Sequence, residues 1–200
     1  MKLYLSIIGA AMALISVVNG LCRTAPLGYI LFLTVLCTAL QFALDGLIAI
    51  LVHKMTDALF RGDRPFYRVT EAEMAFYKRI HVRAWKDRVW ELGGLGGFSK
   101  KHLAEPGSIP YVERFLLECH KGVLTHRLSY PIGFLPMLFI PGVCAFTVAL
   151  PVAVVNLFLN ILPTAILRYN TPKLMTLLSG MRRKAARAEE KNSAGTTFFS

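Results

Sequence analysis

LGYILFLTVLCTALQFALDGLIAILV, residues 27–52, holds one charged side chain, Asp45, in 26 positions. At about 1.5 Å per residue it makes a helix longer than the about 30 Å of a bilayer's hydrocarbon, enough for a tilted span. N-terminal to it, residues 3–21 carry no charge between Lys2 and Arg23. Their length favours an uncleaved span over a secretory signal, for which Val18-Asn19-Gly20 would be the cleavage site. The connection Cys22-Arg23-Thr24-Ala25-Pro26 is long enough only for a hairpin turn. C-terminal to it, residues 130–167 are again uncharged, 38 in all, and interrupted by Pro131, Pro136, Pro141, Pro151 and Pro163. Two short, kinked spans joined near Leu150-Pro151 fit that run, as does one re-entrant hairpin.

The composition agrees. Hydrophobic residues make up 54% of the 200 and charged residues 18%, and the mean hydropathy of +0.49 excludes an ordinary soluble domain. Twenty-three Lys and Arg against twelve Asp and Glu leave +11, which in so apolar a chain points to anionic lipid or phosphorylated substrates and away from nucleic acid. Fourteen of the basic residues fall in residues 53–129 and seven follow from Arg168 onward. By the positive-inside rule both regions are cytoplasmic. The expected fold is therefore all-α, a polytopic membrane protein of about four transmembrane helices with amphipathic interfacial helices in a cytoplasmic loop. Its parts are an N-terminal hairpin (1–52), a basic cytoplasmic region (53–129), a kinked second hairpin (130–170) and a basic, partly disordered tail (171–200). Four widely spaced cysteines, Cys22, Cys37, Cys119 and Cys144, form neither a redox pair nor a zinc motif.

Polar chemistry concentrates in the cytoplasmic region. Thr70-Glu71-Ala72-Glu73 has capping-box spacing, with the Thr70 hydroxyl and the Glu73 carboxylate each able to take an end amide. Met74, Tyr77, Ile80, Ala84, Trp85 and Val89 then recur at helical intervals beside Lys78, Arg79, Lys86 and Arg88, a basic amphipathic helix suited to the headgroup layer. Gly93-Gly94-Leu95-Gly96-Gly97 reads as a flexible connector or a phosphate cradle, and Lys100-Lys101-His102 follows it.

A further helix is expected from Ile109 to Ser129, with Pro110 in its first turn. On it His126 lies about 80° round from Glu118 and about 12 Å along the axis, while His120 points about 200° away from Glu118. No metal site follows from that arrangement. A histidine at the bilayer surface suits a general base, or a cap on the interfacial end of the next span. Asp45, on a face with Thr38 and Gln41, is an intramembrane acid with a functional or a packing role. Asn156 and Asn160, one turn apart, could grip a headgroup or another span.

Three blocks of this chain carry a family resemblance: Phe76-Tyr77 through Val82-Arg83-Ala84-Trp85-Lys86, Glu118…Lys121…His126, and Arg168-Tyr169-Asn170-Thr171-Pro172-Lys173-Leu174. In order and spacing they resemble the F-Y…V-R-x-W-K, E-x-x-[KR]-x-E-x-x-H and R-Y-N-R-x-R-L motifs of the glycosyl-4,4'-diaponeurosporenoate acyltransferase family. Val123 stands at that family's second glutamate, Arg127 at an aromatic, and Thr171 and Lys173 at two arginines. The resemblance implies a multi-pass enzyme of the bacterial cell membrane, active on its cytoplasmic face. It would move an acyl group from acyl-CoA or acyl carrier protein, as co-substrate, onto a glycosylated carotenoid, isoprenoid or related glycolipid, with no resident cofactor.

In that scheme His126 is the base and Glu118 orients or stabilises it. Lys86, Lys100, Lys101 and Arg168 hold phosphates or developing charge, and Trp85 seats the chain at the interface. Asn156, Tyr169 and Asn170 complete the substrate-binding set. The H-x4-D signature of other acyltransferases is absent, since three residues separate His53 from Asp57 and five separate His81 from Asp87. The competing class is a non-catalytic membrane scaffold or accessory subunit.

Overall fold

The computed structural model describes residues 2–61, 64–89 and 103–196. Among them the chain forms α1 (Lys2–Leu21), α2 (Leu27–Lys54), α3 (Glu71–Arg79), α4 (Val82–Trp85), α5 (Ile109–Ile132) and α6 (Leu150–Thr196), and no strand. Three stretches are helical, long and apolar enough to cross a membrane: Tyr4–Leu21, Leu27–Lys54 and Ala145–Glu190. The protein is an all-α membrane protein.

The first hairpin is tied to the start of the last helix by one amide. Asn19, 2% exposed, donates from Nδ2 to the carbonyls of Ile15 and Thr147, both at 2.8 Å. Its Oδ1 accepts from the Thr24 hydroxyl at 2.8 Å. At the other end of α1 the Tyr4 hydroxyl donates to the Leu159 carbonyl at 3.3 Å, so α1 runs antiparallel to α6. Ile15, Ile30, Leu33, Cys37, Val148 and Val152 fill the space between these helices. Leu31, Phe32, Val35, Phe42, Leu47 and Ile50 of α2 stay exposed, the outward apolar face that a lipid-facing helix needs.

The second hairpin differs from the expected pair of short spans. Its break is not at Leu150-Pro151. Instead α5 runs through Pro131 to Ile132, the chain makes a 3-10 turn at Leu135–Leu138, and Gly142 bends it at φ 66. From Ala145 a π-turn leads directly into α6. Pro151 follows directly on that π-turn, inside one helical run that extends from Ala145, so the helix takes the proline in without a break. Pro163 and Pro172 are absorbed inside α6. The helix also passes the boundary placed at residue 170 and continues to Thr196, because Met181 to Lys191 is almost all strong helix formers. Within the described residues the tail is helical as far as Thr196.

The amphipathic helix expected around residues 74–89 is two pieces. His81 sits at φ 53, a left-handed conformation that ends α3 and restarts the chain as α4. The kink swings Val82 to 0% exposure, where it packs with Tyr77 against Ala165 and Tyr169 of α6. Burial of that apolar cluster outweighs the continuity of one helix. Thr70 caps α3 by accepting from the Glu73 amide at 3.1 Å, but the Glu73 carboxylate turns away to other donors. Ser108 caps α5 through the Tyr111 amide at 3.4 Å. Gly93 to Gly97 lie outside the described residues.

Candidate active site

The polar side chains of the apolar helices meet in one hydrogen-bonded chain. His126 of α5 places Nδ1 2.8 Å from Asn160 Oδ1 of α6. Asn160 Nδ2 faces Asp45 Oδ2 of α2 at 3.2 Å and Asn156 O and Oδ1 at 3.0 and 3.2 Å. Asn156 Nδ2 donates to Gln41 Oε1 at 3.0 Å, and Gln41 Nε2 donates to the Gly133 carbonyl. Gly133 makes this possible: a Cβ there would stand 3.2 Å from both the Asn156 and the Gln41 amide groups. Buried polar groups in apolar surroundings are held together by such networks, since an unmet donor or acceptor there is costly.

The direction of the chain sets the histidine's tautomer. Asn160 has acceptors opposite its nitrogen, so its oxygen is what His126 meets, and Nδ1 carries the proton. The lone pair of a neutral imidazole then lies on Nε2. Behind the amide stands a carboxylate, and Asp45 Oδ1 is buried with no hydrogen-bond partner. The half-buried His126 thus stands on an ordered support, with the Asp45 carboxyl two side chains away.

Glu118 takes no visible part in that support. Its carboxylate lies 3.6 Å from His53 Nε2 and 3.9 Å from Lys121 Nζ, about 12 Å along α5 from His126. Lys121, 7% exposed, meets Asp57 at 2.8 Å, and that hydrogen bond holds the Asp57 carboxyl below its usual range. His120 is a core residue. It is 2% exposed, stacks on Tyr67 with centroids 4.3 Å apart, and has Nδ1 2.8 Å from the Phe60 carbonyl. Burial pushes its imidazole down, towards the neutral form.

Further along α6, beside α3 and the loop before it, full charges close on each other. Arg168, 4% exposed, grips the Glu73 carboxylate through Nε and through Nη2 at 2.6 Å. It also donates to the carbonyls of Phe66 at 3.1 Å and Arg68 at 2.9 Å. The Tyr77 hydroxyl adds a third donor to Glu73 at 2.5 Å. Chiefly through the Arg168 hydrogen bond, the Glu73 carboxyl is held below the usual carboxylate range. These donors commit Arg168 to a clamp between loop, α3 and α6.

Trp85 is half-buried and donates to the Ile80 carbonyl at 3.0 Å, closing the kink. Lys86 lies 3.9 Å from Asp87. Tyr169 is buried beneath Lys173, whose Nζ stands 3.5 Å from the ring centroid, and Asn170 is half-buried next to it. Lys100 and Lys101 lie outside the described residues. Asn156 belongs to the interior chain and reaches Gln41. Asp45 and Asn160 were legible as polar residues in apolar runs, but no pattern in the sequence says that they meet.

An all-α chain with three helices long and apolar enough to cross a membrane, and a histidine hydrogen-bonded to the last of them, defines the class: a helical integral-membrane protein. The particular family follows from comparison. Residues 63–180 match the family model CrtO, glycosyl-4,4'-diaponeurosporenoate acyltransferase, and the chain belongs to that acyltransferase family. No curated protein and no solved structure matches it. The matched stretch contains His126, Asn156, Asn160 and the Glu73–Arg168 clamp, while Asp45 and Gln41 precede it.

Proposed function

We propose that this protein transfers a fatty acyl group from a thioester donor, acyl-CoA or acyl carrier protein, to a sugar hydroxyl. The acceptor is a glycosylated carotenoid or related isoprenoid glycolipid, and the reaction takes place at the cytoplasmic face of a bacterial cell membrane. The observation that carries the mechanism is the His126–Asn160 contact, which orders the imidazole with its lone pair on Nε2. His126 Nε2 takes the hydroxyl proton as the oxygen attacks the thioester carbonyl. The tetrahedral intermediate collapses, the carbon–sulfur bond breaks, and the imidazolium returns its proton to the leaving thiolate. Asn160 fixes the ring through both steps, and Asp45 stabilises the transient positive charge through the intervening amide. The orienting role expected of Glu118 passes to Asn160, which is in contact with the ring. The basic residues of 53–129 and of the helix after Arg168 support the cytoplasmic assignment.

The test is acyl transfer by purified protein in neutral nanodiscs, given acyl-CoA and a glucosylated carotenoid, with products weighed by mass spectrometry. A product heavier by one acyl group is expected from the wild type, and His126→Gln should lose about 10²–10⁴-fold in rate. A fully active His126→Gln protein, at equal abundance in the disc, overturns the assignment.

A further inference from the structure

A second site lies on the other side of α6. A pocket of about 450 Å³ opens between α3, α4 and α6, with Tyr77, Lys78, His81, Val82, Arg83 and Tyr169 among its lining residues. Tyr169 is nine residues beyond Asn160 on α6, about 13.5 Å of rise and about half a turn round the helix. The pocket is therefore separate from the His126 chain, and nothing in the proposed proton transfer uses it.

Its chemistry is one-sided. Lys78 and Arg83 are exposed on its wall, and no carboxylate is among its lining residues. Lys173 covers the Tyr169 ring, and the charges of Lys173, Arg83 and Lys86 all act on the Tyr169 phenol. Glu73, the acid nearest in sequence to the pocket's Tyr77, is neutralised from behind by Arg168 and Tyr77. Among the described residues Asp87 offsets the group, at 3.9 Å from Lys86. Like charges gathered without acids repel each other, so their clustering is unfavourable until an anion joins them.

The backbone sets the placement of these charges. His81, on the pocket wall, is held at φ 53 by the packing of Val82 against α6. Here the kink at His81 turns Arg83 and Lys86 of the short α4 region back toward Tyr169, which a continuous α3 could not do.

We infer that this pocket binds a phosphate group, with Arg83 and Lys173 as its principal cations and the His81 and Lys78 side chains at its rim. The phosphate belongs either to the nucleotide end of a soluble donor or to an anionic lipid headgroup, since both present the same doubly hydrogen-bonding oxygens. The site stands independently of acyl transfer: binding here with an inactive His126 would leave the site in place and remove only the catalytic reading.

Native mass spectrometry of the full chain tests it, with adenosine 3',5'-bisphosphate in one arm and phosphatidylglycerol in the other, the adduct mass reporting the source. An adduct in either arm, reduced at least tenfold in the Arg83→Gln/Lys173→Gln double variant, supports the site. The charge-keeping Arg83→Lys/Lys173→Arg protein should retain much of that adduct, and so should Lys184→Gln/Arg187→Gln, which removes the same charge elsewhere. The inference is overturned if neither probe binds, or if the tail variant loses as much as the pocket variant. It is also overturned if the pocket variant binds as the wild type does. A pocket variant that no longer folds is replaced by Arg83→Gln alone, read against the same wild-type adduct.

Discussion

Two polar assemblies hold α6 to the rest of the molecule, and they are built on opposite principles. Around Arg168, a guanidinium, a carboxylate, a phenol and two backbone carbonyls close on one another until the charge is balanced and the donors are engaged. Around Asn160, the links are neutral amides, an imidazole stands at one end, and a carboxylate oxygen at the other has no partner. The first arrangement has no protonation change to offer without losing its pairing. The second includes an imidazole, a group that can take up and release a proton without breaking the amide links. A buried charge pair is thus a fastener, and an open-ended neutral chain is where chemistry has room.

The comparison breaks most sharply on a pair of substitutions. His126→Gln should reduce acyl transfer by about 10²–10⁴-fold with little change in thermal unfolding, because the glutamine can still meet Asn160. Arg168→Met should do the reverse. It strands Glu73 in a largely buried setting, and removing one partner of a buried pair costs about 3–5 kcal/mol, here nearer about 3 because the Glu73 side chain is 22% exposed. Loss of folded protein in a detergent melt would register it. If Arg168→Met melted like the wild type yet lost all activity, the fastener would have to be reclassed as part of the chemistry.

Smaller effects sharpen the picture. Asn160→Ala should slow transfer about tenfold, the equivalent of about one hydrogen bond of 1.4 kcal/mol, and lower the rate more than Glu118→Gln does. A larger effect at Glu118 would restore it as the group that orients the base. His120→Gln tests the same distinction from the other side. It removes a stack and a hydrogen bond from a core position, so stability should fall by about 1–3 kcal/mol while the rate per folded molecule holds.

The smallest expected effect is a pH dependence. Glu73 is held below its ordinary value of 4.5, so its contribution to stability is present above pH 4.5 and is lost as the pH falls through its lower folded value. Melting temperature should drop on the acid side of 4.5, and Glu73→Gln should flatten that part of the curve. An unchanged slope would mean that the clamp contributes less than its geometry suggests.

Much of the architecture was readable because membrane segments declare themselves. Residues 27–52 must be a helix in lipid, since its backbone has no other way to satisfy its hydrogen bonds. The cap at Thr70 was equally local, and its hydroxyl does take the Glu73 amide. Proline misled where it was counted without regard to position: Pro151 lies inside a continuous helical run, and Gly133 with Gly142 mark the real break. His81 misled differently, because the periodicity around it is helical and the kink comes from packing Val82 against α6.

By itself the sequence determined the first two membrane segments, the helical class, the placement of basic charge and the family, because each rests on composition, spacing or local order along the chain. Only the tertiary structure decided which polar residues share a site. Asp45, His126 and Asn160 are separated by up to 115 positions, and their meeting depends on the rotation and depth of three helices packed together. The same packing buried Arg168 in a clamp and left Arg83 and Lys173 beside an open pocket, although all three looked alike as basic residues in the sequence. Charge is a property of a residue, but availability is a property of its neighbours.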